Sequence, residues 1–335
     1  MAFTAKHSRN FKEIHFLEEL VAQWQKGSPT FILESSGSTG APRKIELSRE
    51  LLIWSCEETK KRLKLENEKV FCCLPIQKTG GFMQVIRALH FGWEIYLTEP
   101  HQNPFETEEN LDCTMTSITP YQLTKIMAES EDSLNSFRNV IIGGSHIEPD
   151  SIEAIEKFNS KNPNVTFWES YGMTETASHI ALRNISEKEK LFTPNEGVTV
   201  ETIHGQLGLE IVPLGLRFET TDLVVIRNNQ FKILGRVDDV INSGGLKIHP
   251  AEIEPQIKDI LRGLRINRRL YLGKKSNHDL GEMAVLVIEG TPIKDSEFVL
   301  EVLRRELPTY MSPKELIFVD KIRTTTNGKL IRSSI

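Results

Sequence analysis

Four stretches of the sequence combine residue types that could do chemistry. The first runs from Glu34 to Lys44. It joins the hydroxyls of Ser35, Ser36, Ser38 and Thr39 to Gly37 and Gly40, and closes with Pro42, Arg43 and Lys44. Glycine lets backbone N–H groups point inward with no Cβ in the way. Hydroxyls add donors, and such a nest of donors favours a polyanion. The spacing is not that of a Walker A loop, because Gly37 is not followed at the required distance by Gly-Lys-Ser/Thr. A flexible polar turn is the plainer reading.

The second stretch, Glu169 to Thr176, follows an apolar run and holds Tyr171, Gly172, Thr174 and Glu175. A tyrosine, a hydroxyl and a carboxylate at the carboxyl end of a strand suit a nucleotide: ring stacking, a phosphate contact and a Mg²⁺ ligand. A capped helix start, with Thr174 or Ser170 as N-cap, competes with it. The third comprises Thr221-Asp222 and Gly235-Arg236-Val237-Asp238-Asp239. A carboxylate held by neighbouring strands can take both hydroxyls of a ribose, and Arg236 can bridge ribose and phosphate. A surface ion pair between Arg236 and one of these aspartates is the alternative. The fourth is Thr324 to Lys329, where a lysine on a mobile tail can be delivered to an anion and withdrawn.

Alternating elements must position these loops. Apolar spacings of three and four predict helices over residues 11–25 and 49–65, the second with Leu51, Leu52, Ser55 and Leu63 inward and Ser48 as its cap. Strands are expected at 70–74, 93–97, 114–119, 140–142 and 165–168. Between them fall helices opened by Gly80-Gly81, starting near Pro120, and carrying Ile152, Ile155 and Phe158. This alternation indicates a largely parallel sheet with covered faces, an α/β fold. Beyond about residue 200, short strands at 207–212, 216–219, 223–226 and 230–234 form an antiparallel, β-rich segment, and a Gly-rich joint spans 236–249. A helix at 250–261, strands near 270–272 and 283–288, a helix at 296–307 and a strand at 315–319 make a small α+β domain.

At 335 residues the chain is long enough for about two domains. A net charge of −5 argues against nucleic-acid or membrane binding by bulk electrostatics, so an anionic ligand needs local donors. Cys56, Cys72, Cys73 and Cys113 form no CxxC pair, which indicates neither a zinc site nor a disulfide framework. Reduced core thiols and a cytoplasmic setting are expected. Residues 6–13 are charged, with no apolar block of a signal peptide. No uncharged apolar run is long enough to span a bilayer. No feature of the pattern specifies an oligomeric state.

Taken together, Ser35-Ser36-Gly37-Ser38-Thr39-Gly40, Tyr171-Gly172-Met173-Thr174-Glu175, Thr221-Asp222, Gly235-Arg236-Val237-Asp238-Asp239 and Asn327-Gly328-Lys329 resemble the ordered motifs of the adenylate-forming (AMP-binding) superfamily. The resemblance runs from about residue 30 to the C-terminus. Within that superfamily the chain is most similar to the o-succinylbenzoate–CoA ligases of menaquinone synthesis, on Tyr171 to Ala181 and Ile241 to Lys247. The resemblance implies an acid–CoA ligase that uses ATP, Mg²⁺ and CoA. A large domain over residues 1–235 would bind ATP and acid, and a small mobile domain over 236–335 would swing about Asp238. The loop from Ser35 to Arg43 would hold the β- and γ-phosphates. Gly143, Gly144, Ser145, Tyr171 and Gly172 would border the adenine. Thr174 would meet the α-phosphate and Glu175 the Mg²⁺. Asp222 and Arg236 would bind the ribose, and Lys329 would be the catalytic lysine. Ser243, Gly244 and Gly245 would line the path of the CoA thiol.

The chain departs from the family at Pro42-Arg43-Lys44, where Pro-Lys-Gly is usual, and at Thr220-Thr221-Asp222 in place of Thr-Gly-Asp. Arg and Lys are not equivalent donors. Only 34 residues precede the phosphate loop, so much of the usual N-terminal lobe is expected to be absent. Adenylation followed by transfer to a carrier-protein thiol, and a non-catalytic nucleotide-binding homologue, are the rival readings. A dicarboxylate substrate would need a cation at the far end of its pocket, for which Lys78 and Arg87 are nearest. The basic run from Lys258 to Lys275, opposed within that window only by Asp259, is a candidate for the CoA phosphates or a solvated face.

Overall fold

Short apolar strands separated by amphipathic helices can close a sheet only through parallel crossovers. The computed structural model, which describes residues 3–35, 43–106, 111–324 and 330–332, has this arrangement in its first half. The chain divides into two units, Met1–Thr199 with Ile211–Leu216 and Val200–Glu210 with Arg217–Ile335.

In the first unit the sheet order is Thr4–His7, Glu94–Leu97, Lys69–Cys72, Met115–Ile118, Asn139–Ile142, Thr166–Gly172, His179–Asn184 and Thr193–Pro194. The first six run parallel, and the last two are each joined antiparallel to the strand before them in this order. After Lys69–Cys72 the chain lays Glu94–Leu97 on one side, then returns to add Met115–Ile118 on the other. That reversal is a topological switch point, and open α/β sheets bind ligands beyond the carboxyl ends of strands there.

Helices Ile14–Gln25, Arg49–Leu63, Thr79–Phe91, Pro120–Glu129 and Pro149–Lys161 alternate with the strands. Their starts are encoded locally. The Ser48 hydroxyl accepts from Leu51 N at 3.2 Å, and Thr119 forms a capping box with Gln122 ahead of Pro120. Leu51, Leu52, Ser55 and Leu63 are buried, as the periodicity predicts. All four cysteines are buried. Burial pushes the thiols of Cys56 and Cys72 up to about 12 and that of Cys113 to about 11, so at neutral pH they act as small core residues. A separate antiparallel hairpin, Thr30–Ser35 with Arg43–Ser48, buries Phe31, Leu33 and Leu47.

One sheet, mostly of second-unit residues, has the order Val198–Ile203, Gln206–Ile211, Leu216–Arg227 and Gln230–Arg236. The sequence predicts separate strands at 216–219 and 223–226, whereas a single strand covers Leu216–Arg227. Thr220 and Thr221 favour extended backbone, and the irregularity is confined to a register shift between Leu223 and Val224. A second sheet orders Leu246–Ile248, Ile241–Ser243, Gly281–Glu289 and Leu270–Asn277, with Glu315–Val319 parallel to Gly281–Glu289. Helices Pro250–Gly263 and Ser296–Glu306 pack Ile253, Ile257, Leu261, Val299 and Leu303 onto Leu270, Leu272, Leu286 and Ile288. Each such side chain contributes about 1.5–3 kcal/mol by leaving water. The Gly-rich joint is a hairpin, turning at Gly244 and Gly245 with φ of 58° and 81°. Two successive positive φ angles explain the glycine pair.

Candidate active site

The loop expected to hold phosphates is carried by the hairpin. Ser35 ends one strand opposite Arg43 on the other, while Ser36, Gly37, Ser38, Thr39 and Gly40 lie outside the described residues, as does Lys329. The strand Arg43–Ser48 packs beside the turn Thr174–Thr176, so this strand of the hairpin lies against the second motif.

That motif begins at the carboxyl end of Thr166–Gly172, where the pairing shifts register between Tyr171 and Gly172. A Cβ on Gly172 would stand 2.6 Å from His179 Cα and closer still to the Ser178 carbonyl, so only glycine allows the strands to close here. Thr176 Oγ1 then accepts from Met173 N at 3.1 Å and donates to the Ser178 carbonyl at 2.8 Å, folding the three-residue turn. Ser170 stays within the strand and Thr174 opens only this turn, so neither caps a long helix. The Thr174 hydroxyl lies 3.0 Å from that of Thr79, at the start of helix Thr79–Phe91. The half-buried Tyr171 ring sits 5.9 Å from that of Phe192. Gly143, Gly144 and Ser145 leave the neighbouring strand, with Gly143 N donating to the Ile118 carbonyl at 3.1 Å and Ser170 Oγ to the Ile142 carbonyl at 3.0 Å. The fold thus gathers the adenine and α-phosphate candidates on one sheet edge. Thr79 is not signalled by the sequence, since a lone hydroxyl gives no periodic signal, and Ser170 is signalled there only as a possible helix cap.

Glu175 is exposed and has no ion pair or hydrogen bond among the described residues. A carboxylate so placed fits Mg²⁺, which takes one or two protein carboxylates and completes its shell with phosphate oxygens and water. No group of three His, Cys, Asp or Glu side chains able to hold a metal occurs among the described residues.

Lys78 and Arg87 do not share a location. Lys78 precedes the helix and is half-buried, whereas Arg87 lies about 13 Å further along it and about half a revolution round. Arg87 is 3% exposed. Its Nη2 donates to Ser178 Oγ at 2.6 Å and its Nε to Thr59 Oγ1 at 3.2 Å, and no carboxylate pairs with it among the described residues. His179 joins the cluster, with Nε2 3.2 Å from Thr59 Oγ1 and Nδ1 3.3 Å from Ser178 Oγ. Burial lowers the Arg87 pKa; burial and the Arg87 charge hold His179 well below the usual histidine range. The cluster therefore contains one buried, unbalanced cation beside a neutral imidazole.

In the second unit Asp222 and Arg236 are directly opposed across two strands, with Arg236 Nη1 3.4 Å from Asp222 Oδ1 and Nη2 3.6 Å from Asp238 Oδ2. The Asp238 side chain is 65% exposed, and Val237–Asp239 forms a short 3₁₀ turn. Ser243 is buried beside the Gly244-Gly245 turn. Three cations of the basic run face carboxylates distant in sequence: Arg269 faces Glu289, Lys274 faces Glu282 and Lys275 faces Glu315. Arg262 pairs with Asp259, and Arg268 donates to the Thr291 carbonyl. These pairs weaken the case for a CoA-phosphate patch and favour the solvated-face reading.

The AMP-binding enzyme family matches residues 3–204. A 2-succinylbenzoate–CoA ligase from Listeria monocytogenes is 24% identical, covering 95% of this chain and 72% of its own length. A solved acyl-CoA synthetase (AMP-forming)/AMP-acid ligase II-like protein from Dyadobacter fermentans is 30% identical, with a TM-score of 0.64 over 97% of this chain and 93% of that one. An o-succinylbenzoate CoA synthetase from Bacillus subtilis, solved with its acyl-adenylate intermediate, has the same fold, with a TM-score of 0.76 at 19% identity over 90% of this chain and 67% of its own.

Proposed function

The chain belongs to the AMP-binding enzyme family, and from that premise we propose that it is an ATP-dependent acid–CoA ligase acting on o-succinylbenzoate in menaquinone biosynthesis. A substrate carboxylate oxygen attacks the α-phosphorus of ATP and pyrophosphate leaves. The thiol of CoA then attacks the acyl carbon and AMP leaves. The observation that carries the reading is the convergence of the phosphate-loop hairpin, the Thr174 turn and the Gly143–Ser145 segment on the carboxyl edge of one parallel sheet.

The protein's part is positioning and preorganised charge. Tyr171, Gly172, Gly143, Gly144 and Ser145 border the adenine, and Thr174 meets the α-phosphate. The loop from Ser35 to Arg43 holds the outer phosphates, while Asp222 and Arg236 hold the ribose. When bound, Mg²⁺ neutralises phosphate charge, with Glu175 as its protein ligand. Lys329 stabilises the negative charge that builds as the carboxylate attacks. Residues 236–335 act as a lid turning about Asp238, and Ser243, Gly244 and Gly245 line the thiol's path. The unbalanced guanidinium of Arg87 supports a substrate with a second carboxylate, because a buried cation without a partner favours an anion. Lys78 is the lesser choice, being half-buried at the helix start.

Four buried free thiols, and the lack of any helix long and apolar enough to cross a membrane among the described residues, suit a cytoplasmic enzyme. The test is a panel of acids with ATP, Mg²⁺ and CoA, read by mass spectrometry alongside ATP–pyrophosphate exchange. Exchange with o-succinylbenzoate and its CoA thioester are expected. Exchange without thioester would point to a carrier-protein thiol as acceptor, and no exchange with any acid would leave a nucleotide-binding homologue.

A further inference from the structure

The C-terminal segment contains an arginine for which the site so far has no use. Arg332 follows Lys329 by three residues. Its Nη1 and Nη2 donate to Oε1 and Oε2 of Glu254 at 2.5 and 2.9 Å, and Nη1 also donates to the Leu272 carbonyl at 3.0 Å. Nε lies 3.6 Å from Asp239 Oδ2, and the guanidinium stands 5.7 Å from the centre of the Tyr271 ring. The two side chains of the pair are only 19% and 13% exposed. A two-pronged, partly dry guanidinium–carboxylate pair is stronger and more directional than an exposed one.

The anchor is itself fixed. Glu254 Oε1 accepts from Leu272 N at 2.7 Å. Its helix, Pro250–Gly263, is held by Ile253, Ile257 and Leu261 in the core. On the other side, Leu330 bridges Thr324, and Ile331 N donates to the Arg323 carbonyl at 3.0 Å. The residues on either side of 325–329 are therefore tied to each other, and the end beyond Lys329 is tied to the helix. Asp239, the residue after the proposed hinge position, touches the same guanidinium.

We propose that Arg332 is a positioning residue for acyl-adenylate formation, its clamp on Glu254 fixing the chain just beyond Lys329. The proposal rests on the reading of Lys329 as the adenylating lysine. A lysine is a point charge on a flexible stem, so its value to a transition state depends on where its backbone is held. A displacement of about 1 Å can cost about 10²-fold in rate. Lysine at position 332 would keep the charge but not the two-pronged grip.

The test measures ATP–pyrophosphate exchange, and thioester formation from supplied acyl-adenylate and CoA, on the whole protein. Arg332→Lys and Glu254→Gln should each lower exchange about 10- to 100-fold, with the KM for ATP and the thioester step held within about threefold. In a Lys329→Ala background, Arg332→Ala should add no more than about a twofold loss, because residues acting as a unit are not additive. A purely structural arginine would slow both half-reactions alike and multiply the Lys329→Ala defect; either result overturns the proposal. Normal exchange in Arg332→Lys and Glu254→Gln beside an inactive Lys329→Ala overturns the positioning role alone. Full exchange in Lys329→Ala overturns the assignment of the lysine itself.

Discussion

The hydroxyls of Thr79 and Thr174 lie 3.0 Å apart, joining the first turn of a helix to the turn that follows the strand Thr166–Gly172. The contact fixes the Thr174 side chain from the side of the switch point, since Thr79 follows strand Lys69–Cys72. If Thr174 meets the α-phosphate, Thr79 sets its rotamer. Thr79→Val should then lower ATP–pyrophosphate exchange about 3- to 10-fold, by the loss of a neutral hydrogen bond worth about 1 kcal/mol. Its effect should vanish in a Thr174→Ala background. Additive losses in the double variant would mean that Thr79 acts independently.

Much of the first unit was legible because its strands and helices announce themselves locally, by period, cap and turn. Ser48, Thr119 and Pro120 mark helix starts with side chains that reach only three residues. The strand His179–Asn184 was not legible. Its run from His179 to Leu182 is fully buried and does not alternate, so no period of two exists to find. The pairing of Arg269, Lys274 and Lys275 with Glu289, Glu282 and Glu315 depends on strand register, which a window of eighteen residues cannot contain. Likewise nothing in the spacing of Thr59, Arg87 and His179 says that they meet, because the contact is made by helix packing.

Arg87 offers a trade between stability and recognition. A buried cation without a carboxylate carries a desolvation cost, and replacing buried charge by an apolar side chain of similar volume is often neutral or stabilising by about 1–4 kcal/mol. Arg87→Met should therefore leave the Tm unchanged or raise it. The same variant should raise the KM for o-succinylbenzoate at least about tenfold, as expected when a charge-assisted hydrogen bond worth about 1.5–3 kcal/mol is removed, while sparing the KM for ATP. A lower Tm with an unaltered KM for the acid would make Arg87 a structural residue.

His179 should give the protein an acid-sensitive stability. Burial, then the Arg87 charge, lowers its folded pKa well below 6.5, while the unfolded chain protonates in the ordinary range. Above that range the imidazole is neutral in both states and has no effect. As pH falls below about 6.5 the unfolded state binds a proton that the native state refuses, so stability is lost at up to about 1.4 kcal/mol per pH unit. Urea midpoints at several pH values between neutral and mildly acid should fall more steeply for the natural protein than for His179→Gln. Parallel slopes would assign the acid sensitivity to other groups.

The last prediction concerns the turn Val237–Asp239, which adjoins two ion-pair systems. On one side Arg236 contacts Asp222 and Asp238, and on the other Asp239 contacts Arg332. The backbone at Asp238 is otherwise lightly held: its side chain is 65% exposed, and its carbonyl accepts only from Lys274 Nζ, at 3.3 Å, among the described residues. A hinge needs such a place, where φ and ψ can change without breaking a core. Asp238→Pro locks φ near −65°, a value close to that of a 3₁₀ turn, and so favours the present conformation over alternatives. If the turn is the hinge between two half-reactions, one half-reaction should survive and the other should fall. On the assignment made here, thioester formation should fall at least about tenfold more than exchange. A thermal melt of the variant separates this from misfolding, because Val237 before a proline is disfavoured in helical backbone. Equal effects on both half-reactions, in a variant whose melt matches the natural protein's, would move the hinge elsewhere.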